Sequence, residues 1–264
     1  MSYLTVNGIC AGYGKQSVVE NISFQMESGC LLGIIGANGS GKTTLLKALC
    51  GILPHRGTCT LDNTVLEELS AKQLAHLVSY IPQRSGIAID ISALDVVLMG
   101  FNPQLKLLEH PTKGMVDSAM DALVRVGLEG KEYKNYLHLS EGQKQLCILA
   151  RTIVSGCRLL LLDEPESALD FRFRYQMLDM IRNLTDSTGS GAIITLHDPM
   201  LALNYCDKLL LLKNGKILDL LSPKEDSMEK LELALNEVYG RISLQKCTTR
   251  SGKQVITMLK EDEP

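Results

Sequence analysis

A chain of 264 residues, 45% hydrophobic and 22% charged with a formal net charge of −3, has the composition of an ordinary globular protein able to bury a sizeable core. That balance gives no global basic footprint for nucleic acid, and the unbroken apolar runs fall far short of a bilayer span. The start MSYLTVNGIC has neither a basic n-region nor an extended apolar h-region, so a cytosolic location is expected. The eight cysteines lack any C-x-x-C spacing and any accompanying histidine cluster, which points to reduced thiols serving as small core hydrophobes.

In chain order, the first strong signal is CLLGIIGANGSGKTTLLKALCG, an apolar strand running through a glycine-rich loop into a helix that ends near Gly51. Gly36, Gly41, Lys42 and Thr43 satisfy G-x-x-x-x-G-K-[ST], the phosphate-binding loop, with Ala37, Asn38, Gly39, Ser40 and Thr44 completing it. Its glycines let backbone N–H groups turn inward around phosphate oxygens, and the helix start adds positive potential. Lys42 would reach the β- and γ-phosphates of a nucleotide, and the Thr43 hydroxyl would ligate Mg²⁺.

Two segments further on, DISALDVVLMG and TKGMVDSAMDALVRVGL, carry apolar residues at helical spacing, for example Met115, Ala119, Leu123 and Val126. HLSEGQKQLCILA then opens like a capped helix. Ser140 and Gln143 form the S-x-x-Q capping box, and Leu146, Leu149 and Ile153 follow on one face. In CRLLLLDEPESALD, Leu159 to Leu162 read as a buried parallel strand ending in two carboxylates. Asp163 would hold Mg²⁺ through water, and Glu164 would orient or deprotonate an attacking water.

A helix is expected over Tyr175 to Leu184, then the strand GAIITLHDP, which ends in His197 before a turn-forming Asp-Pro. In parallel α/β sheets, ligands collect beyond the carboxyl ends of strands, where Lys42, Asp163, Glu164 and His197 would converge, with His197 near the γ-phosphate. KLLLLKNGKIL reads as a hairpin about Asn214-Gly215. The tail from about 223 offers a charged helix, SMEKLELALNEVYG, and the alternating RISLQKC and KQVITML, which suggest a terminal hairpin. One phosphate-binding loop and one capped L-S-E-G-Q leave no internal repeat.

Together these motifs resemble the nucleotide-binding subunit of ATP-binding cassette (ABC) transporters, over nearly the whole chain. The resemblance implies an α/β fold: a P-loop NTPase core with a mainly parallel sheet, antiparallel N-terminal strands and an inserted helical subdomain. It divides the chain into core residues 1–83, a helical subdomain 84–155, a second core part 156–222 and a C-terminal helix and hairpin 223–264. Tyr13 in AGYG resembles the aromatic that stacks on adenine. Gln83 in YIPQ resembles the Q-loop glutamine, which would join Thr43 and Asp163 at Mg²⁺. SALD, residues 167–170, looks like the D-loop with its Asp170, and His197 matches the switch histidine.

LSEGQ stands where the family carries L-S-G-G-Q, so Ser140, Glu141, Gly142 and Gln143 would face the γ-phosphate held by a second subunit in a head-to-tail homodimer. Ser140 would give its hydroxyl to that phosphate, and Gly142 would allow close backbone approach. Glu141 departs from the commonest pattern, and a carboxylate aimed at a triphosphate would repel it. Its side chain is therefore expected along the helix flank, toward solvent or Lys144. Glu166 also departs, where many relatives have threonine.

The implied cofactors are ATP and Mg²⁺, and the implied activity is ATP hydrolysis with Glu164, His197 and Lys42 as catalytic residues. The segments SALDVVLMGFNP and HDPMLALNYCDKLLLLKNGKI and the LNEVYG tail look most like ATPases of iron-siderophore, haem and cobalamin importers. Implied partners are integral-membrane permease subunits, gripped by the residues after Gln83 through about Met99, and indirectly an external substrate-binding protein, but no nucleic acid. The implied place is the cytoplasmic face of the cell membrane. The alternatives are an ABC ATPase for another cargo, or a soluble ABC ATPase in cluster assembly or nucleic-acid work.

Overall fold

The computed structural model describes residues 3–83, 86–106, 108–167 and 169–262. Ala168 of the SALD stretch, and Arg84 and Ser85 of the stretch after Gln83, lie outside the described residues. β1 (Leu4–Tyr13) and β2 (Gln16–Met26) pair antiparallel, burying Leu4, Val6, Ile9, Val19 and Ile22. β3 (Leu31–Ile35) is buried at every position, as a strand covered on both faces must be, and it runs through the glycine loop into α1 (Lys42–Leu49). β4 (His55–Leu61) and β5 (Thr64–Val65) complete an antiparallel sheet of order β2-β1-β4-β5. α2 (Ala71–Leu77), opened by a Ser70–Gln73 capping box, leads to β6 (Val78–Ile81).

Between residues 93 and 155 the described residues hold helices and no strand: α3 (Ala93–Leu98), α4 (Lys113–Arg125) and α5 (Glu141–Ser155). Ala119, Leu123 and Val126 are buried and Met115 packs against the same core, as their helical spacing requires. The chain continues through β7 (Leu159–Asp163), α6 (Phe171–Thr188), β8 (Gly191–Thr195), α7 (Pro199–Tyr205), β9 (Lys208–Lys213) and β10 (Lys216–Leu221). α6 is longer than the Tyr175–Leu184 span read from sequence. Asp170 caps its start by accepting the Phe173 N–H at 3.0 Å, and Gly189, at φ 69°, ends it. Asn214 and Gly215 both adopt positive φ, 52° and 75°, the backbone a tight hairpin turn demands. α8 (Met228–Tyr239) and the antiparallel pair β11 (Ile242–Thr248) and β12 (Gln254–Lys260) form the tail.

The central sheet has the order β10-β9-β3-β8-β7-β6, parallel throughout except for β10 at its edge. Its side chains alternate between two apolar layers. Leu32, Ile34, Leu159, Leu161 and Ile193 pack with the antiparallel sheet and α1, while Leu31, Ile35, Leu160, Leu162 and Ile194 pack with the remaining helices. The layer of α3, α4 and α5 shares that second core with the sheet rather than enclosing one of its own. Because β3, β8 and β7 are neighbours and parallel, their carboxyl ends deliver the glycine loop, His197 and the Asp163-Glu164 pair to one edge.

Candidate functional site

The glycine loop is held by close backbone packing. A Cβ on Gly36 would lie 2.2 Å from the Leu212 carbonyl oxygen, and Gly39 and Gly41 have φ of 79° and 105°. The β9–β10 turn braces it, since the Gly215 N–H donates to the Ser40 carbonyl at 3.0 Å. Val18, Asn38, Gly39, Lys42, Thr43 and Glu164 are among the residues lining a cavity of about 170 Å³ at this loop. Lys42 is buried and its Nζ donates to the carbonyls of Gly36 (2.9 Å) and Ala37 (3.3 Å). Burial pushes the Lys42 ammonium down, against Glu164 and Asp163, which favour its charge.

Asp163 is the hub of the second cluster. Its Oδ1 accepts from Thr43 Oγ1 at 2.9 Å and Thr195 Oγ1 at 3.0 Å, and its Oδ2 accepts from the Tyr80 hydroxyl at 3.2 Å. Burial raises the Tyr80 phenol, helped by the Asp163 charge, so it stays a donor. The adjoining Glu164 has φ 48°. Among the described residues six non-glycines have positive φ, and four of those are Asn or Asp; a glutamate there carries about 1–3 kcal/mol of backbone strain. The Glu164 N–H is secured by Thr195 Oγ1 at 2.8 Å.

The Glu164 carboxylate meets two more groups. Oε2 accepts from Gln83 Nε2 at 2.8 Å and lies 2.7 Å from His197 Nε2. Gln83 also reaches Ser167 Oγ at 3.4 Å. Its amide is thus engaged with Glu164 and Ser167, while Thr43 and Asp163 form the pair expected at a metal ion. Glu166, a further buried carboxyl, accepts the His197 N–H through Oε1 at 3.4 Å and leaves Oε2 without a hydrogen-bond partner. Burial raises its pKa, assisted by Glu164.

Tyr13 is 52% exposed and lines an open cavity of about 680 Å³ with Lys15, Leu53, His55 and Arg56. Thr44 lies buried in α1 beside the loop. Asp170 is drawn into capping α6. At α5, Ser140 Oγ accepts the Gln143 N–H at 3.3 Å and Gln143 Oε1 accepts the Ser140 N–H at 3.2 Å, the capping box read from sequence. Glu141 points away along the flank, its Oε1 2.8 Å from Lys144 Nζ and its side chain 65% exposed. Gly142 abuts the stretch after Glu164, for a Cβ there would lie 3.1 Å from Leu169 Cδ2.

Thr195, Tyr80 and Gln145 were missed in the sequence. Thr195 alone carried a signal, a lone hydroxyl in an apolar strand two residues before His197. Among the described residues no group of three or more His, Cys, Asp or Glu could hold a metal ion, and the eight cysteines are free. Burial pushes the Cys157 thiol up to about 11.

The profile of the ABC transporter family matches residues 19–167, more than half the chain, and covers both the glycine loop and the Asp163-Glu164 pair. The chain belongs to the ABC transporter family. This ABC ATPase is 35% identical over 214 residues to the uncharacterised ABC transporter ATP-binding protein YvrA of Bacillus subtilis (strain 168), covering 80% of the chain but 48% of that relative, about half its length. It is 32% identical over 259 residues to the hemin import ATP-binding protein HmuV of Ruegeria sp. (strain TM1040), covering 93% of the chain and 91% of HmuV. A solved structure described as an inward-facing metal-chelate type ABC transporter superposes with a TM-score of 0.83 at 25% identity, over 99% of both chains. As a member of this family the chain is an ATP-binding subunit with ATPase activity. Among its described residues no helix is long and apolar enough to cross a membrane.

Proposed function

We propose that this ABC ATPase powers import of an iron complex, a siderophore or haem, or of cobalamin, through separate permease subunits at the cytoplasmic face of the membrane. The observation that carries the cargo class is similarity over 93% of the chain to a hemin import ATP-binding protein and over 99% of it to a metal-chelate type transporter. Two copies pair head to tail, so that the α5 start of each meets the nucleotide held by the other, and an external binding protein supplies the cargo. The α5 start suits that task, since a capped helix of 15 residues offers its N–H groups and dipole to an anion. Glu141 is tolerated because Lys144 and solvent take its charge.

The donor set fits Mg²⁺, with the Thr43 hydroxyl and Asp163 carboxylate, both hard oxygens, already side by side at 2.9 Å. Gln83 would add its Oε1. When bound, the ion neutralises charge on the phosphates. In catalysis the loop N–H groups and Lys42 hold the phosphates, with Lys42 Nζ leaving the Gly36 and Ala37 carbonyls for them. Glu164 takes the proton of the attacking water, and His197 Nε2 turns from Glu164 to the γ-phosphate. Tyr80 and Thr195 keep Asp163 and the Glu164 backbone in place.

The test is purification from membranes with whatever chain accompanies it, followed by ATP-driven uptake into vesicles of ferric siderophore, haem and cobalamin in turn. Uptake of one of these, lost with Glu164→Gln while ATP still binds, supports the reading. Recovery with a soluble partner and no membrane chain, or normal hydrolysis by Glu164→Gln, overturns it.

A further inference from the structure

Glu166 takes no part in the chemistry above, yet it stands two residues after Glu164 and is only 2% exposed. A buried carboxyl is costly unless it is fully hydrogen-bonded, and here Oε2 has no partner. Methionine would fill the same length without either oxygen, so packing alone gives no reason for a carboxyl. Its other oxygen does have a partner. Oε1 accepts the main-chain N–H of His197 at 3.4 Å, across 31 positions of sequence.

The sheet explains why that N–H turns to a side chain. Successive N–H groups along a strand point to opposite neighbours, and the Leu196 N–H donates to the Ile34 carbonyl of β3 at 3.3 Å. The next one, from His197, therefore points to the β7 side. β7 has already left, since its last pair with β8 is Asp163 with Thr195, after which Glu164 turns off at φ 48°. Glu166 Oε1 takes the place that a β7 carbonyl would have held. The turn that carries it is itself tied, by the Ser167 N–H to the Glu164 carbonyl and the Leu169 N–H to the Glu166 carbonyl, both at 3.1 Å.

We infer that Glu166 is a positioning residue that anchors the main chain of His197, so that the imidazole swings between Glu164 and the γ-phosphate about a fixed point. The inference rests on the proposed role of His197 at the γ-phosphate. The His197 side chain is 46% exposed, with Nε2 2.7 Å from Glu164 Oε2, so the ring has room to turn. The main chain on either side is fastened, by Leu196 to β3 before it and by the Asp198 cap of α7 after it, where Oδ1 accepts the Met200 N–H at 2.8 Å. Glu166 secures the peptide between them. The role asks for an acceptor oxygen rather than for a charge.

Glu166→Met and Glu166→Gln test this together, because both keep the length but only glutamine keeps an acceptor. Methionine should lower kcat about three- to tenfold, the worth of one hydrogen bond, and leave KM for ATP within about twofold. Glutamine should hold kcat within about twofold of wild type. Glu166→Leu, a second variant without an acceptor, should match methionine. Independently of turnover, hydrogen exchange in the peptide carrying His197 should rise in Glu166→Met and stay at the wild-type level in Glu166→Gln.

A wild-type kcat in Glu166→Met, an equal loss in Glu166→Gln, or unchanged exchange around His197 would each overturn the inference. His197→Ala serves as the control. If it retains turnover the role of His197 has failed, whereas if it is inactive and Glu166→Met turns over normally, only the anchoring has failed.

Discussion

Thr195→Val exchanges one buried hydroxyl for a methyl in the middle of the central sheet and leaves the shape of the side chain intact. Thr195 is fully buried, its Oγ1 donates to Asp163 Oδ1 at 3.0 Å, and it accepts the Glu164 N–H at 2.8 Å. The variant orphans a buried N–H, at about 1–3 kcal/mol, and removes a hydrogen bond to a charged group worth about 1.5–3 kcal/mol. Valine suits a strand and opens no cavity, so nothing else changes. A loss of about 3 kcal/mol corresponds to a fall of about 6–12 °C in melting temperature for a chain of this size. The Glu164 backbone, at φ 48°, also loses the bond that holds it there, so turnover should drop about tenfold or more through misplacement of the base. Thermal unfolding followed by circular dichroism, together with a phosphate-release assay, reads both effects. A melting temperature within about 2 °C of wild type together with normal turnover would refute the role given to this hydroxyl.

Glu141→Gly should leave ATP affinity and turnover almost unchanged, because an exposed ion pair contributes about 0–1 kcal/mol; a large gain in turnover would show that the charge reaches the phosphate. Gly36→Ala should abolish nucleotide binding, as its Cβ would sit 2.2 Å from the Leu212 carbonyl oxygen, and retained binding of a fluorescent ATP analogue would contradict that packing. Glu166 has a folded pKa raised by burial above its ordinary value near 4.5. Its contribution is therefore fully present below that value and is lost as pH rises through the raised one. Glu166→Gln should accordingly gain in melting temperature over wild type as pH is raised from about 4.5, and a pH-independent difference would refute the assignment.

What the sequence made legible was local. The glycine loop, the capping box of Ser140 and Gln143 and the Asn214-Gly215 turn each need only a few consecutive residues, and the structure shows each of them. The alternation of RISLQKC and KQVITML, which form β11 and β12, and the unbroken apolar run Leu159–Leu162 likewise carry their own periods. The contacts that organise the cluster are of another kind. Tyr80 reaches Asp163 across 83 positions, Thr195 across 32, and Gln145 reaches Gln83 across 62, and only the sheet order brings those segments together. α6 extends beyond the Tyr175–Leu184 span because Asp170 caps it at one end and Gly189 ends it at the other. Glu166 stood out in the sequence only as a departure from relatives, and burial is what gives it physical weight.

The central claim is that two copies close on ATP with the start of α5 facing the partner's glycine loop. It is tested most directly by the solution mass of Glu164→Gln with and without ATP, which removes turnover while leaving the rest of the site. A shift from monomer to dimer on adding ATP is predicted. A chain that binds ATP and stays monomeric, alone and with its membrane partner, would contradict the account.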